Sequence, residues 1–347
     1  MPLDAAVMER PVKATVKAQP LVDVRDLSVK FVSRESTNSA VNGVTFDLMA
    51  GEVLCIIGES GSGKSVTMRA LMKLLPPNRT KISGHMRVGA HDITKMSESD
   101  MRAIRGSQIS MIFQEPMTAL DPVYTIGDQI AETVMRHEHC SRAEATARAL
   151  ELLQLVRVPS PERRLKAYPH ELSGGLRQRA MIAVALSCKP DLLLADEPTT
   201  ALDATVQIQV LVLLRKLQQE LGMAMIFVTH DLGVAAQIAD KVAVMYAGRI
   251  VEYGRVSDVL MHPQHPYTLG MLASTVHGNM RGQEIEAIPG SPPDLRRPIQ
   301  GCSFTPRCKF AVKDCLQASP PVVQLDNGQY AACIRAGKGA MPAAPQA

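Results

Sequence analysis

Eight residues, Gly58-Glu59-Ser60-Gly61-Ser62-Gly63-Lys64-Ser65, limit what this chain can fold into more than any other stretch. They fit the spacing G-x-x-x-x-G-K-[ST], in which backbone N–H groups curl around an anion. Glu52 to Ile57 predicts a short buried strand entering the loop. Val66 to Leu75 predicts the helix leaving it, with Pro76-Pro77 as its stop. Strand, loop and helix aim unpaired N–H groups and a helix N-terminus at one point. The glycines let backbone approach phosphate closely. Lys64 is then placed to reach β- and γ-phosphates and Ser65 to ligate Mg²⁺. An ordinary Ser/Gly turn has no reason to carry this frame.

With 347 residues, 46% of them hydrophobic, the chain can bury a substantial core. Only 3% is aromatic and there is no Trp, so stacking platforms for nucleic acid are scarce. The formal charge of +4 does not call for a polyanion, and no nucleic-acid partner is expected. No apolar run approaches the ~18 residues of a spanning helix. Glu9, Arg10 and Lys13 interrupt any secretory pattern. The expectation is a cytoplasmic chain that does not itself cross a membrane, with residues 1–20 as a flexible leader. Of seven cysteines, Cys302, Cys308, Cys315 and Cys333 cluster near the C-terminus. In a reducing compartment such a cluster favours metal over disulfides.

The remaining pattern is strand–loop–helix, repeated. Leu21 to Phe31 and Ala40 to Leu48 alternate as half-exposed strands and predict a small antiparallel sheet. Phe31 reads equally as a base-stacking ring or a buried edge aromatic. Ile109 to Phe113 predicts a strand with Gln114 at its tip, where parallel sheets place ligand groups. Residues 116–188 carry several helical periods and predict an inserted helical region. Within it, Ser173 is a plausible N-cap, and Gly174 and Gly175 leave the first N–H groups of a helix accessible. Asp191 to Pro198 predicts a buried strand tipped by Asp196 and Glu197; one carboxylate suits Mg²⁺, the other can polarise a water. His230 follows the strand Met223 to Thr229. A strand pair closes the unit near Gly254, after which Pro, Gly and Cys dominate. The fold class is α/β, a mainly parallel sheet covered by helices.

These motifs, in this order, resemble the ATP-binding subunit of an ABC transporter. Gly58 to Ser65 match Walker A, Gln114 the Q-loop, Leu172-Ser173-Gly174-Gly175 with Gln178 the signature, and Leu192 to Glu197 Walker B with its following glutamate. Ala201-Leu202-Asp203 match the D-loop, His230 the switch histidine, and Phe31 the adenine-stacking position. His262 to Thr268 and Gly301 to Cys308, with Cys315 and Cys333, resemble the C-terminal extension of dipeptide/oligopeptide importer ATPases. The resemblance implies a P-loop NTPase with a RecA-like core, an antiparallel β subdomain and a helical subdomain near 116–188, all within residues 21–254, followed by an extension at 255–347.

It also implies a mechanism. Two ATPase subunits close head to tail, each ATP lying between one chain's Walker A and its partner's signature. Nucleotide would then contact Phe31, Gly58, Glu59, Ser60, Gly61, Ser62, Gly63, Lys64 and Ser65 of one chain, and Ser173, Gly174, Gly175, Gln178 and Asp203 of the other. Lys64, Gln114, Glu197 and His230 carry the hydrolysis; Ser65, Gln114 and Asp196 hold Mg²⁺. Implied partners are two permease subunits, a second ATPase that is more often a paralogue, and an extracytoplasmic binding protein, at the cytoplasmic face of a bacterial inner membrane. Cargo is a peptide, with nickel, glutathione, an opine or a sugar as alternatives; a soluble non-transport ATPase is the more distant one. Spacing leaves the four cysteines open between zinc and iron–sulfur. The resemblance favours [4Fe–4S] over zinc or unligated thiols, with a structural or redox-sensing role, since the segment lies far in sequence from the ATP motifs.

Overall fold

A computed structural model describes residues 19–200, 202–274 and 287–338. Most of the expected leader, Ala201 of the D-loop and the last nine residues lie outside them. In chain order come β1 (Val22–Val32), β2 (Thr37–Leu48), β3 (Val53–Ile57), α1 (Lys64–Leu71), β4 (Thr80–Val88), β5 (His91–Asp92), α2 (Glu98–Ile104) and β6 (Ile109–Ile112). A helical run follows: α3 (Pro116–Ala119), α4 (Ile126–Glu138), α5 (Arg142–Leu155), α6 (Pro161–Leu165) and α7 (Gly174–Leu186). Then come β7 (Leu192–Asp196), α8 (Ala204–Leu221), β8 (Ala224–Thr229), α9 (Leu232–Ile238), β9 (Lys241–Tyr246) and β10 (Arg249–Arg255). The extension holds α10 (Val256–Met261), α11 (Pro266–Ala273), α12 (Asp314–Gln317), β11 (Val323–Gln324) and β12 (Tyr330–Ala331).

Two sheets organise these elements. A four-stranded sheet runs β2-β1-β4-β5, and an eight-stranded sheet runs β11-β12-β10-β9-β3-β8-β7-β6. From β9 through β3, β8 and β7 to β6 the large sheet is parallel. Its central strands are buried on both faces, as crossover helices require. The period of two sorts their side chains: Val53, Cys55 and Ile57 join the core under the helices, while Leu54 and Ile56 join the core beneath the antiparallel sheet. Phe227 and Ile226 of β8 divide the same way. Each such fully buried branched side chain contributes roughly 1.5–3 kcal/mol relative to exposure.

Helix α1 ends at Leu71, four residues short of the sequence expectation. The proline pair is not its stop. Lys73 adopts φ 48°, its N–H donates to Ala70 O at 3.0 Å, and the Leu74 N–H donates to Arg69 O at 2.8 Å. That left-handed closure satisfies the last carbonyls before the prolines are reached.

The extension is stitched to the ATPase sheet. Glu252 and Tyr253 of β10 pair with Ala331 and Tyr330 of β12. Tyr330 stacks on Tyr253 with ring centroids 5.1 Å apart and donates to Thr45 O at 2.9 Å. Tyr267, Met271 and Phe304 belong to the same core as the helical face. Sequence periodicity carries no sign of β11 and β12, because two-residue strands are too short to show alternation.

Candidate active site

Parallel neighbours put their C-terminal ends on one edge. Register makes Ile57 level with Thr229, Asp196 with Val228 and Ile112 with Ala195. The loops beginning at Gly58, Glu197, His230 and Gln114 therefore open side by side.

The phosphate loop needs its glycines for space as well as for φ. Gly58 has φ 153°, and a Cβ there would lie 2.1 Å from the Met245 carbonyl oxygen. Gly63 has φ 106°, with Ala40 O 2.5 Å from a Cβ. Lys64 is buried, and its Nζ donates to the carbonyls of Gly58 at 2.7 Å and Glu59 at 3.0 Å. Burial lowers its pKa, while the charges of Glu197, Asp196 and Glu59 pull the other way.

The Ser65 hydroxyl donates to Asp196 Oδ1 at 2.8 Å. Asp196 is 1% exposed, and burial pushes its carboxyl pKa up against that hydrogen bond. A hydroxyl and a buried carboxylate in contact are a hard-oxygen pair that fits Mg²⁺, and a cation there would offset the desolvation. Glu197 follows in a left-handed conformation, φ 45°, which a β-carbon disfavours. Its N–H is tied to Val228 O at 3.1 Å. Three side chains gather on its Oε2: Thr200 Oγ1 at 3.0 Å, Gln114 Nε2 at 3.4 Å and His230 Nδ1 at 3.4 Å. The arrangement offers a cationic cradle, a metal-ready oxygen pair and a carboxylate whose partners can be exchanged.

Comparisons with known proteins agree with this geometry. The ABC transporter family matches at residues 41–200, and the oligopeptide/dipeptide transporter C-terminal region at 251–315. The dipeptide transport ATP-binding protein DppD of Bacillus subtilis (strain 168) is 48% identical over 87% of this chain and 90% of its own. The oligopeptide transport ATP-binding protein OppD of Salmonella typhimurium is 47% identical over 95% of this chain and 98% of its own. The chain belongs to the ABC transporter ATP-binding family. It is an ATP-hydrolysing transport subunit of the kind that carries the oligopeptide/dipeptide C-terminal region. Among solved structures, a dimeric post-hydrolysis state of the ATP-binding cassette MJ0796, bound to ADP and Pi, superposes with TM-score 0.61. It is 28% identical and covers 68% of this chain and 98% of that one.

Other residues of this ABC ATPase lie apart from the cradle. Ser173 and Gly174 are exposed at the N-terminus of α7, and no side-chain cap closes that end. Gly175 packs so tightly on α8 that a Cβ would meet Val206 Cγ1 at 2.8 Å. Gln178 is buried, with its Nε2 lacking a partner among the described residues. Asp203 accepts from the Val206 N–H at 3.0 Å and caps α8. Phe31 is half-buried and packs against the core under the antiparallel sheet. Among the described residues, no helix is long and apolar enough to cross a membrane.

Cys302, Cys308, Cys315 and Cys333 line one small cavity of about 20 Å³, and all are free thiols. Burial raises the pKa of Cys308 and Cys333, and their cysteine neighbours add to it. Yet among the described residues no group of three or more His, Cys, Asp or Glu side chains could hold a metal ion as arranged. The four thiols share one cavity, but their arrangement does not support the expected cluster.

The sequence gives no site role to Thr200, Tyr267 or Arg307, although the last two lie within the stretches His262 to Thr268 and Gly301 to Cys308. Thr200 stands between two recognised motifs, three residues after Glu197, and that position is its only signal. Tyr267 carries no signal by type, but its hydroxyl accepts the Glu59 N–H at 2.9 Å. Arg307 makes two hydrogen bonds to the Glu59 carboxylate, at 2.8 and 3.0 Å. The cysteine segment is remote from the phosphate loop in sequence and adjacent to it in space.

Proposed function

We propose that this ABC ATPase powers import of di- or oligopeptides from the cytoplasmic face of a bacterial inner membrane. The observation that carries the reading is the convergence of Lys64, Ser65, Asp196, Gln114, Glu197 and His230 at adjacent strand ends, in a chain whose extension matches the oligopeptide/dipeptide region. Two such subunits, this one and a paralogue, close head to tail over two ATP molecules. The open N-terminus of α7 supports that role: Ser173, Gly174 and Gly175 present N–H groups that a partner's γ-phosphate can use, with Gln178 and Asp203 behind them. Phe31 stacks on the adenine.

Within a closed site Lys64 sets charge against the β- and γ-phosphates. Ser65, Gln114 and Asp196 would hold Mg²⁺, which when bound would neutralise charge on the phosphate oxygens. Glu197 orients the attacking water, and His230 contacts the γ-phosphate. Positioning and electrostatics, with no covalent intermediate, do this chemistry.

Phe113, Met117, Val123 and Tyr124 are exposed apolar side chains on the segment after β6. They support docking of a coupling helix from one of two permease subunits, through which an extracytoplasmic binding protein delivers cargo. A [4Fe–4S] cluster, with Zn²⁺ as the alternative, has only the four thiols around one cavity in its favour, and as arranged they do not form a metal-holding group. Anaerobic purification, with iron, sulfide and zinc analysis beside the visible spectrum, tests it. A colourless protein containing zinc or no metal overturns the cluster.

Affinity purification of the full chain from membranes tests the main reading. The expected result is two permease subunits, a second ATPase, and ATP hydrolysis stimulated by the binding protein loaded with peptide. Absence of membrane subunits overturns the transport role; stimulation by nickel, glutathione, an opine or a sugar instead of peptide overturns the cargo.

A further inference from the structure

The phosphate-loop spacing leaves its second position free, and this chain places a carboxylate there, Glu59. A negative charge beside a triphosphate site opposes ligand binding. Its charge acts on Lys64, whose Nζ also donates to the backbone carbonyl of Glu59 at 3.0 Å.

Here the carboxylate is not free. Arg307 meets it with two parallel hydrogen bonds at 2.8 and 3.0 Å, the bidentate geometry that suits guanidinium. Arg307 is itself fixed: it is 7% exposed, closes the 3-10 turn Thr305–Arg307, and donates through Nε to Pro289 O at 2.8 Å. The Glu59 N–H is directed to the Tyr267 hydroxyl at 2.9 Å, and Tyr267 is fully buried. Tyr246, Tyr267 and Phe304 pack together with centroids 4.6 to 5.5 Å apart, so the two contacts share one rigid support. Both come from the C-terminal extension, 208 and 248 residues from Glu59.

We propose that Arg307 and Tyr267 are positioning residues for ATP: from the C-terminal extension they fix the Glu59 end of the phosphate loop and neutralise the carboxylate that would otherwise repel the triphosphate. Neither needs to touch nucleotide. The extension is then part of the nucleotide site's construction in every cycle.

The test is nucleotide affinity of the full-length chain, read with a fluorescent ATP analogue and Mg²⁺, with KM and kcat measured in the assembled transporter. Arg307→Met should weaken binding and raise KM about 10-fold, with kcat within about 2-fold, because an unpaired charge is left beside the loop. Glu59→Gln combined with Arg307→Met should recover affinity to within about 3-fold of the parent. Tyr267→Phe, which removes only the hydroxyl, should cost about 2- to 3-fold. Parent-like affinity in Arg307→Met overturns the proposal, as does a double variant as weak as the single. Should Arg307→Met not fold, Arg307→Lys and Tyr267→Phe carry the test, and unchanged KM in both overturns it. A parent chain that ignores the nucleotide, or a Lys64→Ala chain that binds it equally, overturns the ATP site itself and is thereby told apart from failure of the brace.

Discussion

Glu197 and Glu252 are both carboxylates beside the central sheet, and they are held in opposite ways. Glu197 Oε2 has its partners at 3.0, 3.4 and 3.4 Å, all of them side chains, and His230 among them is more than half exposed. Glu252 is 0% exposed and accepts from the Gln264 N–H at 2.6 Å, Gln329 Nε2 at 2.7 Å and the His265 N–H at 3.0 Å. The first set is long, side-chain-borne and open to solvent, so a water or phosphate can replace its members at little cost. The second is short, partly backbone and dry, so nothing can replace it. One carboxylate is left available for chemistry; the other is consumed in fixing the extension to the sheet.

The largest expected effect tests the available one. Glu197→Gln keeps shape and ATP binding but cannot act as a base or hold the water as tightly. Turnover should fall by at least about 100-fold in the assembled transporter while the ATP-bound closed dimer persists. Near-normal ATPase in that variant would sink the role. Glu252→Gln should leave kcat within about 2-fold; a loss as deep as that of Glu197→Gln in a folded chain would erase the contrast between the two carboxylates.

A second effect separates fixed backbone from movable side chains. Gly58→Ala places a methyl 2.1 Å from the Met245 carbonyl, which is backbone of the neighbouring strand β9 and cannot move aside. At Gly61, φ 78°, an added methyl would have nothing within 4 Å, so Gly61→Ala meets only the left-handed penalty. Gly58→Ala should cost about 2–4 kcal/mol and abolish nucleotide binding, and Gly61→Ala about 1 kcal/mol. Denaturant midpoints with bound-nucleotide titrations measure both. Equal costs would mean that the loop is freer than its packing against β9 implies.

What the sequence made legible follows the same division. Buried strands announce themselves by continuous apolar runs, so β3, β7 and β8 and the polar residues at their tips can be read directly, and Ser65 and Asp196 do meet. The pairing of Arg307 with Glu59 cannot be read. Neither residue has a periodic neighbourhood, and what holds Arg307 beside the loop, Phe304 packed on Tyr246 and Tyr267, leaves no mark in composition. Chain distance alone implies a remote cysteine segment, and the added strands and the Tyr267–Phe304 packing cancel that distance. Asp203 shows a further limit: its type suits ligand binding and helix capping equally, and here its carboxylate caps α8.

The smallest effect is a pH dependence hidden by compensation. Burial pushes Glu252 up from 4.5 to about 7, with its hydrogen bonds opposing, and pushes His265 down from 6.5 to about 3. Between pH 4.5 and 7 folded Glu252 binds more protons than the unfolded chain does, so its contribution to stability falls as pH rises. Between pH 3 and 6.5 the unfolded chain binds more protons at His265, so that contribution rises with pH and is lost on acidification. Over the shared window, pH 4.5 to 6.5, the two slopes oppose each other. Glu252→Gln removes one of them. Its denaturant midpoint should therefore drop on going from pH 6.5 to 4.5 more steeply than the parent's, the added slope being the opposing Glu252 contribution that the variant lacks. Parallel midpoint curves for variant and parent would show that the buried pair does not titrate as its burial requires, and would remove Glu252 as the counterexample to Glu197.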